Sequence, residues 1–202
     1  MRYGIDLKEN NKQLPQFADV KREDNTLNFT GNLSDGPNLD AIKFLLEKIL
    51  PMLWERKLEV KIYFLGVGAP DFLKNHPDER IIVTGFVDSL IPYMKKTSLF
   101  VSPLFFGAGT KTKVLEVMGH GKVVVGTKES FTEIECQDER DCIVIDPPRD
   151  TEQWVNKIIS LLVDKDRIRQ VEVEAKKTVE SHHDWEVNKL AYVKELTAIK
   201  GS

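Results

Sequence analysis

Short apolar runs that end at a glycine or a polar turn recur along the sequence, separated by segments with helical periodicity. These runs predict about six strands, at residues 27–30, 60–65, 81–84, 99–104, 122–127 and 142–145. Strands that alternate with helices form a parallel sheet covered by helices on both faces, so we expect an α/β domain. The carboxyl ends of parallel strands share one edge of the sheet, and that edge is where ligands bind.

A single core with short additions at both ends is expected from the 202 residues. Residues 1–25 are rich in Asn, Lys and Asp with little periodicity, which predicts a loosely attached lead-in or hinge. The core domain is expected over residues 26–181. A terminal helix is expected over residues 182–200, with Asp184 as its amino-terminal cap and Trp185 and Leu190 on its apolar stripe.

Composition excludes several classes of partner. A formal net charge of -3 gives no general attraction for nucleic acid. No apolar run approaches the ~18 residues of a membrane span, and the first residues do not lead into a signal peptide, so a cytoplasmic chain is expected. Cys136 and Cys142, separated by five residues, fit neither a zinc site nor a disulfide framework, which favours reduced packing residues. No metal or other cofactor is expected.

The segment between the strand at 99–104 and the helix predicted to follow it is typical of an anion site. It contains Gly107, Gly109, Lys111 and Lys113. Lysines in a first helical turn oppose the helix dipole, at a cost of about 0.3–1 kcal/mol each when exposed. A bound phosphate would reverse that cost.

Two common phosphate motifs do not fit the sequence. A Walker loop needs four residues between its glycines, but only Ala108 separates Gly107 from Gly109. A dinucleotide fingerprint starting at Gly66 would need a third glycine where Asp71 stands. The anion would therefore be bound in another way.

Residues 101–125 resemble the donor-site signature of retaining family 4 glycosyltransferases of the GT-B fold. Residues 29–38 are similar to the first strand, loop and helix of their carboxyl-terminal domain, and residues 84–88 to the strand beside the nucleotide base. Residues 3–6 and 183–185 resemble the hinge and the closing helices. The resemblance covers nearly the whole chain and implies the Rossmann-like, carboxyl-terminal half of a GT-B glycosyltransferase.

The resemblance also implies roles for individual residues. Backbone groups near Gly109, with Lys111 and Lys113, would hold the donor's diphosphate and stabilise the leaving group. Glu116 would accept the ribose hydroxyls, although a surface ion pair with Lys113 is the alternative. The implied donor-binding residues are Gly31, Asn32, Gly85, Phe86, Val87, Gly107, Ala108, Gly109, Thr110, Lys111, Lys113 and Glu116.

Some of these positions are open to a second interpretation or depart from the family pattern. Gly31 and Asn32 fit a phosphate-facing loop and a simple tight turn equally well. Many relatives carry two glutamates separated by seven residues, whereas here Ala108 occupies the first of these positions. Glu129 and Glu133 are nearby carboxylates that could face the sugar, and a solvated helix start is the alternative for them.

The sequence thus predicts the donor-binding half of an enzyme that transfers a sugar, with retention, from a nucleoside diphosphate sugar to a glycan or lipid-linked acceptor. An amino-terminal domain outside this chain would bind the acceptor, so the isolated chain is expected to have little or no activity. Peripheral association of the full-length protein with a membrane is compatible with this function. The alternative is a non-catalytic nucleotide-binding or protein-interaction module; half of a sugar-nucleotide epimerase fits the glycine loop less well.

Overall fold

The computed structural model describes residues 4–12 and 14–189, and its centre is a six-stranded sheet. The strands are β1 (Thr26–Thr30), β2 (Lys61–Leu65), β3 (Ile81–Gly85), β4 (Leu99–Ser102), β5 (Val124–Thr127) and β6 (Ile143–Ile145). Their order is β3-β2-β1-β4-β5-β6, and all neighbouring pairs are parallel. The predicted Rossmann-like α/β fold is confirmed.

Helices cover both faces of the sheet. They are α1 (Leu7–Lys12), α2 (Gly36–Phe44), α3 (Leu50–Glu55), α4 (Asp71–Lys74), α5 (Ile91–Lys96), α6 (Thr112–Gly119), α7 (Thr151–Val163) and α8 (Lys165–His182). A π-helical segment, Leu45–Ile49, joins α2 to α3. Pro51 has no N–H to donate into the preceding turn, which accounts for the change of helical hydrogen bonding there.

Alternate residues of the strands pack into two separate cores, one on each face of the sheet. Phe29 and Val101 belong to the core that packs against α2, α3 and α7, where Trp154 is fully buried. Phe100 and Val124 face the other way, into the core formed with α6 and α8. Strands buried on both faces explain the near-continuous apolar runs in the sequence.

The lead-in is attached to the core more closely than its composition suggests. Leu7 is buried in the second core. Ile5 donates a backbone hydrogen bond to His183 O (2.9 Å) and accepts one from Trp185 N–H (3.0 Å). Backbone pairing and one or two apolar side chains leave little periodicity for a sequence to display.

The last helix begins directly after Asp184, its predicted cap. His182 is the final residue of α8, and helical structure resumes at Trp185. Asp184 Oδ1 accepts a hydrogen bond from Glu186 N–H at 2.8 Å, as an amino-terminal cap does. The remainder of that helix, with Leu190, lies outside the described residues.

A buried lysine lies at the opposite edge of the sheet from the ligand edge. Lys122 Nζ donates to Thr97 O at 2.6 Å and lies 3.4 Å from Glu172 Oε1. Glu172 also pairs with Arg22 of the lead-in. Burial, with a smaller contribution from the nearby positive charge of Arg22, lowers the pKa of Lys122 to about 8.

This pKa predicts that Lys122 contributes to stability in a pH-dependent way. Below pH 8 the lysine is charged in both states, and the folded state bears the cost of a buried charge. Between pH 8 and the usual pKa of 10.5 the folded state loses the proton first. The unfolded state then binds more protons, so the free energy of unfolding should rise with pH.

The measurement is urea unfolding of the wild type and Lys122→Met at several pH values from 7.5 to 10, chosen to bracket a pKa of about 8. We expect the stability of the wild type relative to the variant to rise with pH, by at most about 1.4 kcal/mol per pH unit. Lys165→Met is the matched control, since Lys165 is exposed and paired with Asp24. A relative stability that is flat or falls with pH would contradict the assignment.

Candidate functional site

A cavity of about 470 Å³ opens at the carboxyl edge of the sheet, between the ends of β1 and β4. From β1 the chain proceeds to β2 on one side, and from β4 it proceeds to β5 on the other. The loops therefore diverge and leave a crevice, which is where open parallel sheets bind ligands. The residues at this cavity include Gly31, Asn32, Asn38, Gly66, Val67, Phe86, Val87, Thr110, Lys111, Thr112 and Lys113.

The loops that follow β1, β2 and β3 are bonded to one another through their backbones. Gly66 N–H donates to Gly85 O at 2.9 Å, and Gly31 N–H donates to Leu65 O at 3.1 Å. Gly66 has a φ of 138°, and a Cβ added there would lie 1.8 Å from Gly31 O. Only glycine allows this approach, so Gly66 fixes the floor of the cavity.

Asn32 uses its side chain to build the loop between β1 and α2. Its Oδ1 accepts hydrogen bonds from the Ser34 N–H (3.2 Å) and hydroxyl (2.9 Å), and its Nδ2 donates to Asp35 at 2.9 Å. The Asn38 side chain closes the loop by donating to Asn32 O at 2.9 Å. Asn32 therefore shapes the loop with its amide group.

The first residue of the glycine loop, which we define as residues 105–111, is held by aromatic contacts. The ring of Phe105 packs edge-on against Phe44, with centroids 5.0 Å apart. The guanidinium of Arg149 lies over the Phe105 ring, 3.8 Å from its centroid, and is paired with Asp40 at 2.8 Å. These contacts anchor the glycine loop to α2 and to the loop before α7.

Lys111 at the end of the glycine loop bonds back onto the loop itself. Its Nζ donates to Gly107 O at 3.0 Å and Gly109 O at 3.2 Å, and Ala108 O lies at 3.5 Å. Gly107 and Gly109 have φ values of 130° and 75°, which turn these carbonyls inward. Glu129 Oε1 lies 3.2 Å from the same ammonium, and the Lys111 side chain is only 12% exposed.

Lys113 and Glu116 form the ion pair that the sequence offered as the alternative to ribose binding. Their charged atoms lie 2.8 Å apart, one turn along α6. The side chain of Lys113 is 50% exposed and that of Glu116 is 25% exposed. Both predicted lysines line the cavity, and Lys113 is the more accessible of the two because the Lys111 side chain is only 12% exposed.

Glu129 and Glu133 lie behind the glycine loop. Glu129 pairs with Lys111, and Glu133 accepts a hydrogen bond from the Thr110 hydroxyl. Neither glutamate lines the central cavity or the smaller one, of about 440 Å³, beside Gly107 and Ala108. Their carboxylates contact the loop instead of facing the space a ligand would occupy.

The predicted site residues do not all meet in one place. The central cavity collects predicted residues from three loops, and Phe86 at its rim is 75% exposed. The smaller cavity takes Gly107 and Ala108, with Lys111 at both. Three predicted residues line neither of these cavities: Gly85, Gly109 and Glu116.

Several cavity residues were not predicted from the sequence. Asn38 lies at both cavities, and Gly66 and Val67 form part of the central one. The sequence marks Gly66 as the glycine that ends a strand. No binding site was predicted there, because the dinucleotide motif that starts at Gly66 does not fit. Asn38 had a weaker signal, as a polar residue in the first turn of α2.

The described residues include one cluster of potential metal ligands, formed by Cys136, Asp141 and Cys142, whose ligand atoms lie within 4.8 Å of one another. Asp141 already accepts hydrogen bonds from Gln137 N–H and Thr178, both at 2.6 Å. A hydrogen bond with Cys136, together with burial, raises the pKa of the Cys142 thiol, which disfavours the thiolate a metal needs. This cluster lines neither cavity.

The strand order and the crevice at its reversal define a doubly wound α/β domain of the nucleotide-binding type. The family model described as "Glycosyl transferases group 1" matches residues 24–164. The chain belongs to this glycosyltransferase family. A search of curated proteins finds no match.

Similar solved structures are GT-B glycosyltransferases. The chain matches Anabaena HepE, solved with UDP and glucose, at 16% identity and a TM-score of 0.72, covering 96% of this chain and 55% of HepE. It matches sucrose-phosphate synthase of Thermosynechococcus elongatus at 17% identity and 0.72, covering 98% and 52%. The carboxyl-terminal domain of LpcC, a group 1 family protein from Francisella tularensis, matches at 18% identity and 0.63, covering 90% and 100%.

This chain thus spans about half of HepE and of sucrose-phosphate synthase, and all of the isolated LpcC domain. The fold is that of a carboxyl-terminal GT-B domain. Within the described part of the chain, no helix is both long and apolar enough to cross a membrane.

The contact between Gly66 and Gly31 generates a prediction about the site's floor. Gly66→Ala should lower the free energy of unfolding by about 2 kcal/mol or more, because the new Cβ has no room and the backbone conformation disfavours it. Gly36→Ala is the matched control, since its Cβ would meet nothing within 4 Å. Urea unfolding compares them, and equal stability of the two variants would contradict the close approach.

Proposed function

We propose that this chain is the donor-binding domain of a glycosyltransferase that uses a nucleoside diphosphate sugar. The observation that carries the proposal is the cavity between β1 and β4, where Lys111, Lys113 and the amino ends of α2 and α6 meet. Family membership gives the reaction class, sugar transfer. The UDP in the HepE complex supports a nucleotide as the ligand.

The diphosphate is proposed to bind at the start of α6, against Thr112 and Lys113. Neither α2 nor α6 has a side-chain cap on its amino end, so backbone N–H groups there can receive an anion. Lys113 supplies a mobile positive charge, once it leaves Glu116. Donors placed in this way would also stabilise the charge that grows on the leaving diphosphate.

Glu116 is proposed to accept the ribose hydroxyls after Lys113 turns to the phosphates. A carboxylate has lone pairs for both hydroxyls of a ribose. The exchange of partners is plausible energetically, because an exposed ion pair on a helix is worth only about 0.2–0.5 kcal/mol. The backbone of Phe86 and Val87 is proposed to contact the base, and UDP is the first nucleotide to test.

The acceptor, the stereochemistry and the second domain are also proposals. We propose transfer with retention to a glycan or lipid-linked acceptor that is bound by a domain outside these 202 residues. The isolated chain is then expected to bind the donor without turning it over. Ala108 leaves unassigned the carboxylate that many relatives place near the sugar. We expect no metal requirement, because Lys113 and the helix ends supply the positive potential.

The proposal predicts how two substitutions on α6 change nucleotide binding. Titration calorimetry with UDP, GDP and ADP identifies the diphosphate that binds. Lys113→Met should weaken its affinity by about 10- to 100-fold, the range for losing a charge-assisted hydrogen bond. Glu116→Gln should weaken binding of the ribonucleotide relative to that of its 2′,3′-dideoxy analogue, because both nucleotides gain equally from the release of Lys113 and only the first loses the ribose contact.

Lys177→Met is the matched control for the lysine variant, because Lys177 is 61% exposed and pairs with Glu174, three residues away on α8, so it lies away from the cavity. It should bind as the wild type does. If none of the three nucleotides binds at millimolar concentration, the donor-site proposal fails and a non-catalytic interaction module becomes the better account of the fold.

A further inference from the structure

We propose that Lys111 is a positioning residue that Glu129 holds in place to fix the glycine loop, and that it is not a ligand of the diphosphate. The sequence assigned Lys111 and Lys113 the same role, whereas their contacts differ. This inference rests on the proposed function, since it divides the work of one donor site between the two lysines.

The ammonium of Lys111 has no donor left for a ligand. It carries three hydrogens, and four oxygens surround it: the carbonyls of residues 107, 108 and 109 and the carboxylate of Glu129, all within 3.5 Å. The side chain is also largely shielded from solvent. To reach a phosphate it would have to release its own loop, whose carbonyls would then lose their partner.

The position of Glu129 is fixed by hydrogen bonds to the end of β4, the strand that precedes the glycine loop. It lies in the 3-10 turn Lys128–Phe131, directly after β5. The hydroxyls flanking it bond to the backbone at the end of β4: Thr127 donates to Leu104 O and Ser130 donates to Ser102 O, both buried. The turn is therefore fixed to the chain just before the loop begins.

The same segment holds the far end of the loop through two carboxylates. Glu129 pairs with Lys111, and Glu133 accepts the hydroxyl of Thr110. Residues 127–133 thus bridge the start and the end of the glycine loop, and we name this segment the brace. Its effect is to fix the backbone N–H groups of the loop before a ligand arrives, which lowers the ordering cost of binding.

Electrostatics gives the opposite expectation if Lys111 is a phosphate ligand. A carboxylate that competes for the ligating cation weakens anion binding, so its removal should tighten binding. If Glu129 instead acts by positioning, its removal should loosen the loop and weaken binding. The sign of the change on Glu129→Gln separates the two roles.

The experiment measures UDP and UMP affinities of the wild type, Glu129→Gln, Lys111→Met and the double variant, with GDP/GMP or ADP/AMP used if calorimetry selects that base. We expect each single variant to bind the diphosphate about three- to tenfold more weakly, the range for losing one member of a hydrogen-bonded network. The double variant should be no weaker than the worse single one. Affinity for the monophosphate should change less, which a general structural defect would not produce.

Hydrogen exchange of the loop amides, measured without any nucleotide, tests the brace separately. Glu129→Gln and Lys111→Met should speed exchange in residues 107–112 and leave the sheet unchanged. Glu152→Gln, which alters an exposed pair with Arg56, should change exchange in neither the loop nor the sheet. Tighter or unchanged diphosphate binding by Glu129→Gln, or unchanged loop exchange, would overturn the positioning role. If the wild type binds no diphosphate, the proposed function fails, while the exchange result still decides whether the brace exists.

Discussion

The reversal of strand order between β1 and β4 is the constraint on which the rest of the structure depends. Because the chain leaves these two central strands in opposite directions, their loops separate and open the cavity at the carboxyl edge. The residues proposed to contact the donor lie on the loops at this edge or in the first two turns of α6. The two cores on either side of the sheet hold the strands in place, and this fixes the positions at which the loops leave the sheet.

Charge is balanced locally at this edge, with each predicted cation already next to a carboxylate. Lys113 has Glu116 as its partner, and Lys111 has Glu129. The two pairs differ in exposure, and this difference divides their roles: an exposed pair on a helix exchanges partners at little cost, whereas a shielded ammonium bound to three carbonyls does not. The proposed donor site thus combines one cation that can change partners, Lys113, with a glycine loop that Lys111 keeps rigid.

Much of the fold could be predicted from the sequence, because buried parallel strands read as apolar runs and their glycines mark where they end. The strand boundaries differ mainly at residues such as Val60 and Val123, which continue an apolar run beyond the ladder. The site could be predicted only as a set of loops. The Lys111 ammonium contacts Glu129, which lies 18 residues away, and no local sequence pattern records that contact. The lead-in was similarly obscured, because Ile5 is held by backbone hydrogen bonds.

The central claim is that a nucleoside diphosphate binds in the crevice between β1 and β4. The most direct measurement is a titration of the ¹⁵N-labelled chain with UDP, GDP and ADP, followed by amide chemical shifts. We predict saturable shifts for at least one of them, confined to residues 31–32, 66–67, 86–87 and 109–116, around the cavity and along α6 to Glu116. Saturable shifts centred elsewhere, for example on the groove beside Arg140 and Arg167, would contradict the claim, as would no shift with any of the three at millimolar concentration.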